Sequence, residues 1–384
     1  MTQERRGTEV FYDLIVQAQG YDDAIVLGRG DPDFDTPAHI IAAAEEAMEH
    51  RLGEPSPPEG ILPLREAIAE RVERVNDAVF DPETEIVFTN GGQEALFLMV
   101  VAAIAEGDRL LVPEPNYNTY KDSVAFARGG IVGMPTYPQE AFRVDPERVR
   151  RTLISGVRAL LLVSPNNPAA SVISREDQQE LIAIAQEHDL LILADDIYDL
   201  LVYDDFSHTS PAALRGGKER TLTLNALSKS YAMTGWRTGW VTGPADLMVR
   251  VRDLKAAISG PNSIVSQYAA LAALTGPQEE MHAMQGAYQR RRRIVLDHLD
   301  AMGFSYGVPQ GGQFVFVDVS HTGMSSIELS QRMLDEAHVL AYPGGAFYEG
   351  MDDFLRITFL QPEDRLRDGL GRMQRVMEAL GVGE

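Results

Sequence analysis

The amino-acid sequence predicts an α/β protein built on a mainly parallel sheet, with helices on both faces. From about residue 84 onward, strand-like and helix-like runs alternate, the order produced when parallel strands are joined by helical crossovers. Two runs, 159–163 and 190–194, are apolar at every position instead of every second one, as strands covered on both faces must be. Polar residues gather directly after these runs, where open α/β sheets bind ligands, and Lys229 stands just past a further strand-like run at 221–224.

The 384 residues leave room for two domains and can bury about 75% of the unfolded surface. A formal charge of −23 disfavours nucleic acid and anionic membranes as partners. The exception, Arg290-Arg291-Arg292-Arg293, falls in a helical pattern at 281–302, where a solvated face or internal ion pairs are expected. Without cysteine there are no disulfides, thiolate metal sites or cysteine nucleophiles, and no metal site is expected. Residues 1–6 lead into no apolar signal core, and no apolar run approaches membrane-spanning length, so a cytoplasmic protein is expected.

In chain order, residues 1–45 read as an arm. A short strand at 24–27 precedes the turn-rich loop Gly28-Arg29-Gly30-Asp31-Pro32-Asp33-Phe34-Asp35-Thr36-Pro37. Helical patterns at 39–50 and 64–72 flank a loop stiffened by Pro55, Pro57 and Pro58. A strand at 85–89 turns through Asn90-Gly91-Gly92-Gln93 into a helix at 94–101. Glycines at such a turn let backbone N–H groups approach an anion, which the helix N-terminus also favours. The strand at 110–113 ends in Glu114-Pro115-Asn116-Tyr117, that at 159–163 in Ser164-Pro165-Asn166-Asn167-Pro168, and that at 190–194 in Asp195-Asp196-Ile197-Tyr198. Any one of these could be an ordinary strand terminus; together they mark one edge of the sheet. Beyond a helix break at Gly260-Pro261-Asn262-Ser263 come the long helix 281–302 and a strand at 314–319. A capping box of Ser325 and Glu328 opens the next helix. The segment Pro343-Gly344-Gly345-Ala346-Phe347 then leads to a strand at 354–359. Arg356 inside that apolar strand must be paired, by a structural carboxylate or by a ligand.

A free lysine, with a pKa near 10.4, is only about 0.04% neutral at pH 7 and a poor nucleophile. An aldehyde cofactor changes that by forming a Schiff base, and Arg237 nearby could hold a phosphate in two-pronged fashion.

The string Asn225-Ala226-Leu227-Ser228-Lys229-Ser230-Tyr231-Ala232-Met233-Thr234-Gly235-Trp236-Arg237-Thr238-Gly239-Trp240 resembles the lysine segment of the class I pyridoxal-phosphate (PLP) aminotransferases of fold type I, S-K-x-[YF]-x-M-T-G-W-R-x-G-[WY]. Similar agreement runs from about residue 25 to 360. The resemblance implies a three-layer large PLP-binding domain at 46–280, a small α+β domain at 281–384 and an N-terminal arm at 1–45 joining the small domain. It implies Lys229, Asp195 and Tyr198 as catalytic residues. Gly92, Gln93, Ser228 and Arg237 would hold the cofactor phosphate, Tyr117 would stack on the ring, and Asn167 and Tyr198 would meet the ring oxygen. Asp195 would keep the pyridine nitrogen protonated, so that the ring can draw electrons. Gly30, Asn167 and Arg356 would bind substrate, with Arg356 as a bidentate clamp on its α-carboxylate.

This chain departs from the pattern at three places. Ala169-Ala170 replace a usual Thr-Gly. Pro55 stands where a tyrosine reaching the partner's cofactor phosphate is usual in the family's homodimers. Gln93 occupies a position where some aspartate-using members carry a lysine. The implied reaction is PLP-dependent transfer of an amino group from an L-amino acid to a 2-oxo acid. The donor is expected to be neutral, aromatic or basic: Gln93 offers no charge, Arg29 is the most plausible of few cations near the mouth, and the acidic surface, with Asp31 and Glu54 expected there, suits such side chains better. A β-eliminating lyase or cyclase on the same scaffold, and an aspartate aminotransferase, are the alternatives.

Overall fold

The computed structural model describes residues 7–117, 119–346, 348 and 350–381, so Met1 to Arg6 and Phe347 of the glycine-rich segment lie outside the described residues. Its strands are β1 (Ile25–Val26), β2 (Ile86–Asn90), β3 (Arg109–Glu114), β4 (Gly130–Pro135), β5 (Val157–Val163), β6 (Leu191–Asp195), β7 (Thr221–Ala226) and β8 (Thr238–Thr242). These are followed by β9 (Ser305–Tyr306), β10 (Phe314–Asp318), β11 (Val339–Leu340), β12 (Tyr342–Pro343) and β13 (Phe354–Thr358).

Seven strands form the central sheet in the order β2-β8-β7-β6-β5-β3-β4. All run in one direction except β8, which is antiparallel to both neighbours. The apolar runs explain themselves in three dimensions. Leu110, Val112, Leu161 and Leu193 join one buried cluster with Ala95, Leu98 and Met99 of helix Gly92–Ala103. The intervening Leu111, Leu160, Leu162 and Ile192 join another with Leu181, Ile182 and Ile184 of helix Arg175–Glu187. Side chains alternate across a strand, so every position meets a helical layer and none meets water. The result is three layers.

A second, antiparallel sheet runs β12-β13-β10-β9 and pairs Phe316 with Arg356. The arm joins this part of the molecule through β1, which pairs in parallel with β11, Ile25 opposite Val339. The capping box is formed: Ser325 accepts from the Glu328 amide and Glu328 from the Ser325 amide. In the arginine run, Arg291 and Arg292 are buried and ion-paired to Asp33 and Asp204, at 2.6 and 2.8 Å. Internal pairing, rather than a solvated face, describes these two, and the Asp33 pair ties the arm loop to helix Glu279–Ala301.

The arm holds an element that the sequence reading passed over. Helix Gly7–Ala18 buries Phe11, Leu14 and Ala18, an i, i+3, i+7 spacing. Strand β8 starts at Thr238, three residues before the short strand expected at 241–242, because Thr238 pairs with β2, and Gly239 and Trp240 with both β2 and β7. Strand β4, at the edge of the central sheet beside β3, was also not anticipated.

Candidate active site

Strands β2, β3, β5, β6 and β7 deliver the residues that follow them to one cavity of about 630 Å³. Gly92 and Gln93 come after β2, Tyr117 after β3, Asn167 after β5, Asp195 and Tyr198 at and after β6, and Ser228 and Lys229 after β7. Arg237 stands just before β8, Gly30 comes from the arm loop, and Arg356 from β13. All the residues given catalytic, cofactor-binding or substrate-binding roles from the sequence therefore line this cavity.

At one end the wall suits an anion. Gly91 takes a left-handed φ of 80°, and a Cβ there would come within 2.6 Å of Arg237 Nη2. Gly239 faces it just as closely, since its Cβ would meet the Gly91 carbonyl carbon at 2.6 Å. These glycines let β2 and β8 approach until the Arg237 guanidinium lies beside the N-terminus of helix Gly92–Ala103. Arg237 donates to the carbonyls of Thr234 (3.0 Å) and Asn90 (3.4 Å). Among the described residues no carboxylate lies within ion-pair distance of it.

Asp195, also on the lining, is 7% exposed. It accepts hydrogen bonds from the Tyr120 hydroxyl and from the Ile197 amide at 3.1 Å. Burial pushes its carboxyl up to about 6 against these two bonds, and no cation pairs with it among the described residues. Burial likewise raises the Tyr198 phenol, which keeps its proton as a donor. Lys229 Nζ donates to the Gly30 carbonyl at 2.7 Å and lies 3.5 Å from Asp31 Oδ1. Burial lowers the lysine's pKa, with Asp31 opposing.

Arg356, 9% exposed and on the same lining, donates to Asn167 Oδ1 at 3.0 Å and to the Gly28 carbonyl at 3.1 Å. Its guanidinium sits 4.7 Å from the Tyr342 ring centre and 5.4 Å from that of Phe314. Its Nε is buried without a hydrogen-bond partner, and among the described residues no carboxylate pairs with it. The reading of Arg356 as half of a structural salt bridge is thereby removed. Two cations and a buried carboxylate thus line one cavity.

A sequence model of the family described as "Aminotransferase class I and II" matches residues 22–372. The chain belongs to this family. It is 37% identical to "Aromatic-amino-acid aminotransferase 2" of Thermococcus litoralis, over 94% of this chain and 93% of that one. It is 36% identical to an aspartate aminotransferase of Pyrococcus abyssi, over 94% and 93% of the two chains. The solved aromatic aminotransferase from Pyrococcus horikoshii OT3 superposes with a TM-score of 0.90 at 35% identity, covering 95% of this chain and 99% of that one. The protein is accordingly a fold type I aminotransferase whose cofactor is PLP and whose substrates are an amino acid and a 2-oxo acid.

The cavity of this aminotransferase fits that cofactor on its own terms. A phosphate matches the unpaired Arg237 at the helix N-terminus, and a protonated ring nitrogen matches the buried, unpaired Asp195. Several lining residues escaped the sequence reading: Phe11 and Tyr12 from the arm helix, Tyr120, Tyr342 and Tyr348. Tyr120 could have been found one helical turn after Tyr117. Arg29 is not on the wall; it is 70% exposed and 3.8 Å from Asp31. Glu54 is not on it either, pairing instead with Arg51 and accepting from the Tyr268 hydroxyl at 3.0 Å. Helix Gly7–Ala18 and the tyrosines, more than charge, shape the substrate end.

Proposed function

We propose that this aminotransferase uses Lys229 to carry the proton at the substrate Cα, and prefers neutral, aromatic or basic amino donors to aspartate. The observation that carries the reading is that Lys229 lines the same cavity as Asp195, Tyr198 and Arg356, with its Nζ held on the Gly30 carbonyl at 2.7 Å. Bound PLP supplies an aldehyde that takes the amino nitrogen and a ring that withdraws electrons from Cα. Gly92, Gln93, Ser228 and Arg237 would hold its phosphate, Tyr117 would pack on the ring, Asn167 and Tyr198 would meet the ring oxygen, and Asp195 would hold the proton on the ring nitrogen. Arg356 and Asn167, with the Gly30 backbone, orient the substrate carboxylate. Lys229, its pKa already lowered by burial, accepts and returns the Cα proton as a general base and acid.

The donor preference is supported by what lines the cavity. Its cationic side chains are Lys229, Arg237 and Arg356, each with a role above, and Gln93 adds no charge. A distal carboxylate buried there would meet no spare cation among the described residues, at a cost of several kcal/mol. The division into an arm (1–45), a large domain (46–280) and a small domain (281–384) is supported by the sheets. The seven-stranded sheet falls within residues 86–242, the four-stranded sheet within 305–358, and β1 pairs with β11.

The reading includes a homodimer, supported by the exposed apolar Ile41, Met48 and Leu52 just before the loop that holds Pro55. It also includes a cytoplasmic location. Among the described residues no helix is long and apolar enough to cross a membrane.

The test is product analysis with PLP-loaded protein, a panel of amino acids and a 2-oxo acid acceptor. Stoichiometric formation of a new amino acid is expected, with kcat/KM for the best neutral, aromatic or basic donor above that for aspartate. Release of ammonia without a new amino acid would place the protein with the β-eliminating enzymes instead. Light scattering is expected to give twice the chain mass; a fully active monomer would refute the dimer.

A further inference from the structure

Three carboxylates lie buried within the turn that follows β6: Asp195, Asp196 and Asp199. Buried anions this close need counter-charges. Asp199 has one, since Arg71 of helix Leu62–Asn76 reaches it at 2.6 Å (Nη1–Oδ2) and 2.8 Å (Nη2–Oδ1). Asn76 and Asn225 add donors to Oδ2 at 3.1 and 2.8 Å. Asp195 meets only neutral donors, as described above.

Asp196 meets His208. Nε2 of the ring lies 3.3 Å from Asp196 Oδ2, with the two side chains 4% and 3% exposed. Neither that oxygen nor either ring nitrogen of His208 has a hydrogen-bond partner in good geometry among the described residues. The charged groups acting on the ring are Asp196 and Asp199, from the turn after β6, and Arg71, from the helix packed over it. Arg71 is already committed to Asp199. A neutral imidazole would leave Asp196 buried with no cation at ion-pair distance among the described residues, and with only the more distant Arg71, shared with Asp199, to act on it.

We propose that His208 is a buried imidazolium that neutralises Asp196, so that Asp195 alone among the three carboxylates faces the cavity as an unbalanced charge. Burial works against the cation, but Asp196 and then Asp199 outweigh it, and the net shift of the ring is upward. His208 is a positioning residue, acting on the site through Asp196. The complement to a cationic ring nitrogen at Asp195 rests on the PLP reading above; the charge state of His208 does not, and it can be measured without the cofactor.

The first measurement is ¹⁵N NMR of histidine-labelled protein, both cofactor-free and PLP-loaded. The His208 signals are assigned by their loss in the double variant D196N/H208Q. Both ring nitrogens should hold imidazolium shifts at about pH 7.5; a neutral tautomer at that pH overturns the proposal. The second measurement is ¹³C NMR of aspartate-labelled, cofactor-free protein. In H208Q, one more carboxyl should titrate above about pH 6 than in the parent, because an unpaired buried Asp196 shares a proton with Asp195. In D196N/H208Q, where acid and base leave together, that extra titration should vanish. A folded H208Q with no added carboxyl titration overturns the coupling. If H208Q does not fold, the parent's histidine shifts still decide the charge state.

Discussion

The Nζ of Lys229 donates to the carbonyl oxygen of Gly30 at 2.7 Å, joining the end of the central sheet to the arm loop. The same loop is fixed from two other sides. Trp236 Nε1 donates to Thr36 Oγ1 at 2.9 Å, and Arg291 grips Asp33 in bidentate fashion. The lysine is thus held in a defined place, which is the condition for proton transfer at a chosen atom.

Lys229→Ala should give a folded protein that binds PLP without covalent attachment and has lost turnover. Borohydride reduction of the PLP-loaded parent, followed by peptide mapping, should place the label on Lys229. Lys255 and Lys218 are committed to Glu94 and Glu85, both at 2.9 Å. A label on Lys121, Lys218 or Lys255 would sink the assignment.

Asp195→Asn should separate stability from function. The folded-state pKa of about 6 lies above the ordinary 3.8. The stability this group contributes is therefore complete below about pH 4 and is lost as pH rises through 6, a loss of about 3 kcal/mol. Cofactor-free D195N, which has no charge to bury, should gain on the parent by up to that amount between about pH 4.5 and 7.5, as read from urea unfolding. Its PLP-loaded turnover should fall more than tenfold. An unchanged difference at the two pH values, or turnover within threefold of the parent, contradicts the role.

Tyr120→Phe removes the hydroxyl that donates to Asp195. That bond favours the charged carboxylate, so its loss should move the Asp195 titration further upward and weaken PLP binding. A hydrogen bond to a charged group contributes about 1.5–3 kcal/mol, so a rise of tenfold or more in the PLP Kd is expected at neutral pH. Equilibrium dialysis that finds the parent's affinity would remove Tyr120 from the site.

Arg356→Lys keeps the charge but loses the fork. KM for the amino donor should rise by roughly 10–100-fold, about 1.5–3 kcal/mol, with a smaller change in kcat. Steady-state kinetics with an unaltered KM would show that the substrate carboxylate binds elsewhere.

Gln93→Lys places a cation at the substrate end of the phosphate turn. The ratio of kcat/KM for aspartate to that for the best neutral donor should increase about tenfold, near 1.4 kcal/mol of discrimination. A ratio that stays put would mean that Gln93 does not face the donor side chain.

The sequence by itself determined the layered sheet and the residues set at its edge. Alternating strand and helix patterns, and runs such as 159–163 with no polar face, are local properties of the chain and survive without coordinates. The lysine segment is likewise local, a single ordered string. Even helix Gly7–Ala18 is legible in the spacing of Phe11, Leu14 and Ala18, a local pattern within residues read only as an arm. Only the tertiary structure decided which groups meet across long separations: Tyr120 with Asp195, Lys229 with Gly30, Arg291 with Asp33, His208 with Asp196. It also set β8 between β2 and β7 and, among the described residues, left Arg356 without a carboxylate. Periodicity tells which face of a strand is buried but not which strand lies beside it. The charge state of a buried group depends on neighbours that only packing brings near.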